Sequence, residues 1–454
     1  MSDLAKIFKA YDIRGVVPDE LDEDLAGTVG AGFARLTEAD AIVTMHDMRT
    51  SSGPLAEALG RGASGQGAGV VAGGLGSTDM LYYASGSLGL PGAMVTASHN
   101  PPKYNGIKLC RAGAKPVGQD TGLAELREMA EQGVPASDRT PGEITGKDLL
   151  SGYAGYLREL VDLSGIRPLK VAVDAGNGMA GYTVPKVFEG LPVDVVPLYF
   201  ELDGTFPNHE ANPINPENLR DLQRAVTEHG ADAGLAFDGD ADRCFVVDER
   251  GEIVSPSVLA ALIAVRELER EPGAAIIHNL ITSRAVPEII SEHGGRPVRT
   301  RVGHSFIKAE MAKEGAVFGG EHSGHFYFRD FWYADSGMLA ALHMLAALGG
   351  QDQPLSRLLE HYSRYVASGE VNSEVADQAA VTALVRDEFA GRDGVSTDEL
   401  DGLTVSGPGW WFNLRPSNTE PLLRLNVEAG DEAEMASVRD EVLGIVRASQ
   451  GSNA

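Results

Sequence analysis

The sequence predicts an α/β protein of several consecutive units, closed by a smaller α+β unit. Two observations carry that expectation. Short apolar runs of strand type alternate with segments of helical period along most of the chain, the pattern of helices packed on a largely parallel sheet. Polar breaks containing Gly and Pro divide the 454 residues into four stretches, one more than the prior of about 150 residues per domain suggests.

Within the first stretch, Leu25, Val29, Phe33 and Leu36 recur at helical spacing, and Ala41 to Met45 then reads as a buried strand. A second strand, Gly69 to Ala72, lies in a Gly-rich segment. A third, Gly92 to Thr96, runs straight into Ala97-Ser98-His99-Asn100-Pro101. In such units chemistry is placed on loops at strand ends. The polar stretch Gln132 to Lys147 is the first boundary, with the first unit over 1–140 and the second over 147–249. The second unit reads as helix Leu149 to Val161, strand Lys170 to Asp174, strand Leu235 to Phe237, an acidic loop and strand Cys244 to Asp248. The turn Glu249 to Glu252 opens the third unit, 250–360, with strands Ala274 to His278 and Val298 to Val302. Its apolar helix, roughly Ser336 to Leu348, is about four turns long by its rise, which suits a core helix rather than a membrane span. After Pro354 the composition turns acid-rich, Trp410-Trp411 introduces a final loop, and 365–454 reads as the separate α+β unit.

A formal charge of −27 and the absence of any Lys/Arg-rich run exclude a non-specific nucleic-acid binder, which needs a basic footprint. The same field would repel a phosphorylated substrate. Any phosphate site therefore has to be locally positive, made by converging Arg, Lys and backbone N–H groups. Cys110 and Cys244 lack CxxC spacing, which argues against a disulfide framework or zinc module. The start, MSDLAKIFKAYDIRG, has no apolar stretch of signal-peptide type. The uncharged residues 80–102 are broken by Gly, Ser and Pro, unlike a membrane span. The expectation is a reduced, cytoplasmic protein with neither nucleic acid nor membrane among its partners.

Asp238-Gly-Asp240-Ala-Asp242-Arg243 is the sharpest chemical signal. Three carboxylates at alternate positions can turn onto one hard cation, Mg²⁺ or Ca²⁺ rather than zinc. Without a cation they would repel one another and resist ionisation. An EF-hand competes, because Glu249 falls at loop position twelve, but Arg243 stands at position six, where that loop needs Gly. A solvated acidic turn is the bland alternative. Mg²⁺ held by three carboxylates keeps open positions that a phosphate oxygen could fill. Thr96 to Pro101 offers a serine in a strand-to-loop turn, or simply a turn punctuated by Asn-Pro. A Ser98–His99 nucleophile–base pair is disfavoured, since adjacent residues rarely orient that way and the G-x-S-x-G elbow is absent.

Gly319 to His325 packs an acid, a hydroxyl and two imidazoles into one loop, able to hold sugar hydroxyls and move a proton near neutral pH. A zinc pair from His322 and His325, or idle surface histidines, are the alternatives. Arg415-Pro-Ser417-Asn418-Thr419-Glu420-Pro421 has the parts of a phosphate clamp, a guanidinium fork beside hydroxyls and turn N–H groups, or is an ordinary inter-strand turn. Gly176-Asn-Gly178-Met-Ala-Gly181, with Glu201 further on, matches a dinucleotide fingerprint and would suit an NAD-dependent oxidoreductase. Tight glycine packing between strand and helix is preferred, because nothing else suggests hydride chemistry.

Phe8-Lys-Ala-Tyr11-Asp-Ile-Arg14-Gly15, TASHNPPKYNGIKL at 96–109, DGDADR at 238–243, GEHSGH at 320–325 and RPSNTEP at 415–421 together resemble the α-D-phosphohexomutase family. The likeness is greatest to its bacterial phosphomannomutase/phosphoglucomutase members, in order and roughly in spacing. The resemblance implies four domains around one central cleft: three related α/β units and a mobile C-terminal domain of TATA-box-binding-protein-like type. It implies a mutase moving phosphate between the 6 and 1 positions of mannose and/or glucose through a phosphoserine at Ser98. A hexose 1,6-bisphosphate would be intermediate and activator. By the same resemblance, a phosphoserine oxygen joins Asp238, Asp240 and Asp242 on Mg²⁺. Lys108 and His325 handle protons, Arg243 faces the reacting centre, and Glu321 and Ser323 hold sugar hydroxyls. Arg415, Ser417, Asn418 and Thr419 grip the non-reacting phosphate, while Tyr11, Arg14 and His304 line the cleft. The implied partner is a small sugar phosphate, and the implied state a monomer or small homo-oligomer. Phosphoglucosamine mutase is the nearest rival, but that group tends toward DGDGDR, GEQSGH and RPSGTEP. Family members often carry a basic residue where this chain has Ile281, and Arg284 is the residue that could compensate.

Overall fold

Three of the four sheets repeat one plan. In the first, Gly69–Leu75, Ala41–His46 and Gly92–Val95 run parallel, and Tyr104–Arg111 returns antiparallel beside the last of them, with Ile13–Val16 next to it. In the second, Val193–Leu198, Leu169–Asp174 and Ala233–Phe237 are parallel, followed by antiparallel Cys244–Asp248 and Ile253–Val254. In the third, Arg296–Thr300, Ala275–Asn279 and Phe318–Gly320 are parallel, and Phe326–Phe328 and Ala334–Asp335 antiparallel. This computed structural model describes residues 4–417 and 422–451, apart from the side chains of His304 and residues 449–451.

The repeat decides where the motifs go. The turn from the third parallel strand into the antiparallel one contains Ser98 in the first unit, residues 238–243 in the second and residues 321–325 in the third. One topological position thus delivers the serine, the acids and the histidines. The fourth sheet is antiparallel throughout, ordered Val366–Glu374, Leu422–Ala429, Trp410–Pro416, Leu403–Ser406, Ser396–Asp398. Helices Gln378–Phe389 and Glu432–Gly451 pack against it, which makes it the α+β unit expected.

Local sequence accounts for the elements. Asp22 starts the helix Glu23–Thr37 by accepting the Leu25 N–H at 2.8 Å, and Val29 and Phe33 on its apolar face are fully buried. Ser336 caps the helix Gly337–Gly349 through the Leu339 N–H at 3.0 Å, and that helix is buried almost all round. Among the described residues no helix is long and apolar enough to cross a membrane. One apolar cluster, including Met45, Leu157, Leu259 and Met338, runs through the first three units; the fourth has its own around Phe389 and Phe412.

Two boundaries differ from the sequence reading. The polar stretch at 132–147 ends in a strand, Ile144–Gly146, that pairs with Gly69–Leu75, so the first sheet extends past residue 140. Its three residues are exposed, too short and too polar a run to announce a strand. The strand expected over Val298 to Val302 falls at Arg296–Thr300, where two arginines interrupt the apolar signal.

Candidate active site

Ser98 lies at a strained point, with φ +48°, in the left-handed region that β-carbons disfavour. Its carbonyl is pressed against the acidic loop: a Cβ on Gly239 would come 2.4 Å from the Ser98 oxygen. The Ser98 hydroxyl donates to Asp238 Oδ2 at 2.8 Å and accepts from Arg243 Nη2 at 3.1 Å. Arg243 also binds that Asp238 oxygen through Nε at 2.9 Å. His99 Nδ1 stands 3.2 Å from Ser98 Oγ, closer than expected for adjacent residues. It is nevertheless a poor base: burial, with Arg243 and Arg14 beside it, pushes the imidazole down to about 2. Arg14 braces the loop, bonding the Ala97 carbonyl at 3.1 Å and the Asn100 side chain.

The glycines of the apparent dinucleotide fingerprint serve this packing. A Cβ on Gly178 would meet the Gly239 oxygen at 2.7 Å, and one on Gly181 the Phe200 oxygen at 2.3 Å. Backbone fills the space a pyrophosphate would need.

Asp238, Asp240 and Asp242 offer ligand atoms within 4.8 Å of one another, all buried. They occupy the turn of the antiparallel pair Ala233–Phe237 and Cys244–Asp248, not a loop between helices as in an EF-hand. Asp240 Oδ1 and Asp242 Oδ1 are buried without a hydrogen-bond partner. Orphaned carboxylate oxygens in an all-oxygen set fit a hard cation such as Mg²⁺. Burial raises Asp238 to about 6 against the pull of Arg243. Burial would also raise Asp240 and Asp242, but Lys108 holds both below the usual carboxylate range. Its ammonium lies 2.7 Å from Asp240 and 2.6 Å from Asp242. Burial opposes the Lys108 charge, yet the two carboxylates push its pKa above the ordinary value, so it stays protonated.

The third loop closes on the second. His325 pairs as an isolated bridge with Arg243, and its Nε2 is 3.7 Å from Asp242 Oδ1. Ser323 Oγ donates to Glu321 Oε2 at 2.8 Å and lies 2.9 Å from His325 Nδ1. Burial lowers the His325 pKa, but Glu321 and Asp242 more than offset it and hold it above 6.5. His322 faces Ser257 instead, at 3.4 Å, so the two imidazoles serve different neighbours and make no zinc pair. Tyr11 sits where the first and third units meet, its hydroxyl against Gly303.

The fourth unit holds Arg415 opposite Arg424 on paired strands, both on the Glu370 carboxylate at 3.1 and 3.2 Å. Ser417 accepts from Arg424 at 3.4 Å. Asn418, Thr419 and the His304 side chain lie outside the described residues. Ile281 is buried. Arg284 donates to the Trp410 carbonyl at 3.3 Å and through its N–H to Glu428 at 2.9 Å, so it serves the joint with the last unit. Sequence reasoning missed Arg424, whose place shows only in the strand register. It also missed Thr78, which donates to Asp240 Oδ2 at 2.6 Å from 162 positions away, and the Lys308–Asp335 pair, with Asp335 beside Asp242 and His325.

Fold and site together are those of a sugar-phosphate mutase. The chain is 41% identical over 449 residues to a phosphomannomutase of Salmonella montevideo, covering 97% of this chain and 98% of that one. It is 42% identical to a protein of Xanthomonas campestris pv. campestris named phosphohexose mutases, covering 97% and 99%. A solved phosphoglucomutase/phosphomannomutase family protein from Burkholderia thailandensis superposes with a TM-score of 0.90 at 33% identity, over 99% and 98% of the two chains. The chain belongs to the phosphoglucomutase/phosphomannomutase family, matching its alpha/beta/alpha domains I, II and III over residues 5–134, 151–251 and 255–365 and its C-terminal domain over 370–445. It is a hexose phosphate mutase.

Proposed function

We propose that this mutase interconverts the 6- and 1-phosphates of mannose and glucose through a phosphoserine at Ser98, with Mg²⁺ bound beside it. The observation that carries the reading is the 2.8 Å bond from Ser98 Oγ to Asp238, 140 positions away and part of the three-acid cluster. Relatives named phosphomannomutase favour mannose phosphates, and the name phosphohexose mutases favours tolerance at C2. A phosphoglucosamine mutase has no better support from either the motifs or the relatives.

Asp238, Asp240, Asp242 and an oxygen of the phosphoserine would hold Mg²⁺, which neutralises charge on the phosphoryl oxygens when bound. Arg243, in contact with both Ser98 and Asp238, stabilises charge as the phosphoryl group moves. His325 is poised to take and return the proton of the sugar hydroxyl, and Lys108, held as an ammonium, offsets negative charge beside it. Glu321 and Ser323 orient sugar hydroxyls. Arg415, Ser417, Asn418 and Thr419 grip the phosphate that is not reacting, assisted by Arg424, while Tyr11, Arg14 and His304 line the cleft. The hexose 1,6-bisphosphate formed by the first transfer turns over and returns its other phosphate to Ser98. The setting is cytoplasmic, with the chain acting as a monomer or small homo-oligomer and without nucleic acid or membrane.

Intact mass spectrometry after incubation with glucose 1,6-bisphosphate is expected to find one phosphoryl group on Ser98. Mannose 1-phosphate and glucose 1-phosphate, assayed side by side, should both turn over, and chelation should stop turnover until Mg²⁺ is restored. An unphosphorylated Ser98 in an active enzyme would end the reading.

A further inference from the structure

Arg49 is 3% exposed and stands outside the reacting groups, yet it touches the serine loop at four points. Its Nη2 donates to the carbonyls of Ser98 at 3.0 Å and Asn100 at 2.6 Å, and its Nη1 to those of Pro101 and Tyr104, both at 3.0 Å. Nε lies 3.3 Å from Asp47 Oδ2. That carboxylate is itself fixed, accepting the Arg49 backbone N–H at 2.9 Å and the Ser52 hydroxyl at 2.5 Å. From the second unit, Phe206 covers the guanidinium at 5.0 Å, and a Cβ on Gly204 would come 2.6 Å from Arg49 Cα.

Inward-turned carbonyls of an irregular loop need donors; here the Ser98 contact is fully buried and those to Asn100, Pro101 and Tyr104 are partly buried. A planar guanidinium can serve four of them from one side chain, which an ammonium cannot. Both terminal nitrogens donate twice, so no terminal N–H remains for a substrate phosphate, and Nε is buried facing Asp47 Oδ2 at 3.3 Å without a hydrogen bond of its own. One of the four carbonyls belongs to Ser98, the residue at φ +48°, and Gly239 also packs against that oxygen.

We propose that Arg49 is a positioning residue for phosphoryl transfer, holding the Ser98 backbone in the left-handed conformation that aims Oγ at Asp238. The inference rests on Ser98 being the phosphoryl carrier. During each turnover the serine loses and regains its phosphoryl group, so the loop must present one geometry in both states. A displacement of about 1 Å is enough to cost about 10²-fold in rate.

Arg49→Lys keeps the charge and loses the fork. Rapid-quench mixing of its phosphoenzyme with glucose 1-phosphate is expected to give a transfer rate about 10²-fold below wild type, with KM unchanged and the phosphate still mapping to Ser98. General loosening would instead raise KM along with the loss of rate. Should Arg49→Lys fail to fold, Phe206→Leu, which uncovers the guanidinium, is expected to slow transfer about threefold at unchanged KM. A folded Arg49→Lys with a wild-type transfer rate, or a KM that rises as kcat falls, overturns the proposal; so does a wild-type rate in Phe206→Leu. Absence of phosphate on Ser98 in the wild-type enzyme overturns the reading of the site instead, which keeps the two failures apart.

Discussion

The seam joining the first three units and the joint holding the fourth are made of different materials. Tyr83, Tyr156 and Trp332, one from each of the first three, pack with ring centroids 5.1 to 6.4 Å apart. Beneath them Asp79 of the first unit accepts the Tyr153 hydroxyl of the second at 2.7 Å and the Ser336 hydroxyl of the third at 2.6 Å. The fourth unit, and the segment at the end of the third that leads into it, are held to the third unit by charged and polar pairs. Arg364 and Glu292 lie at 2.6 Å, Tyr365 and Glu288 at 2.8 Å, and Arg299 and Asp398 at 3.1 Å. Interdigitated apolar surfaces hold one arrangement, whereas polar interfaces between domains leave relative motion as the default. Ser98, the acids and His325 ride on the first kind of material, and Arg415 and Arg424 on the second. The division suits the proposed chemistry: reacting groups stay preorganised, and the grip on the distant phosphate adjusts while a bisphosphate turns over.

The contrast can be broken from its rigid side first. Ser98→Ala is expected to lower kcat by at least about 10³-fold while the protein still folds and melts cooperatively, since in the proposed reaction the hydroxyl carries the phosphoryl group and takes no part in the seam. Asp79 tests the seam itself. Burial pushes its carboxyl up to about 7, against the pull of the Ser336, Ser77 and Tyr153 hydroxyls. An acid whose folded pKa lies above its ordinary 3.8 binds its proton more tightly when folded. The stabilisation, of order 4 kcal/mol, is therefore complete below about pH 4 and is lost as pH rises through about 7. Asp79→Asn should flatten the dependence of thermal stability on pH across that window; an unaltered slope would remove Asp79 from the account.

On the polar side the expected effects are smaller and of another kind. Arg415→Ala should weaken substrate binding by about 1.5–3 kcal/mol, the scale of a hydrogen bond to a charged group, and appear in KM more than in kcat. An unchanged KM would take Arg415 out of the clamp. Arg364→Ala, which removes a partly exposed pair, should cost about 1 kcal/mol or less and leave the melting of the three-unit body as it was. A large loss of kcat there would mean that the two joints are not independent.

Much of the site was legible because its chemistry is concentrated in short runs. The acidic loop, the serine turn and the histidine loop each announce themselves by residue type, and the strand-to-strand turns put them where α/β units place function. Less legible were the residues that hold these loops. Arg49 sits in an unremarkable stretch, MHDMRTSS, and only the folded chain brings its fork to four carbonyls. Thr78 gives no local sign that it serves Asp240. Arg424 becomes a candidate only once Arg415 and Arg424 are known to face each other across paired strands.

Strand and helix alternation, the succession of four units and the character of the functional loops were written in the sequence, because period and residue type are local properties. Which loops face one another was decided only in three dimensions. Crossovers and register bring Ser98 to Asp238 across 140 positions and Thr78 to Asp240 across 162. Contacts of that range leave no periodic trace along a chain, and neither does the choice of an apolar seam for one joint and a polar one for the other.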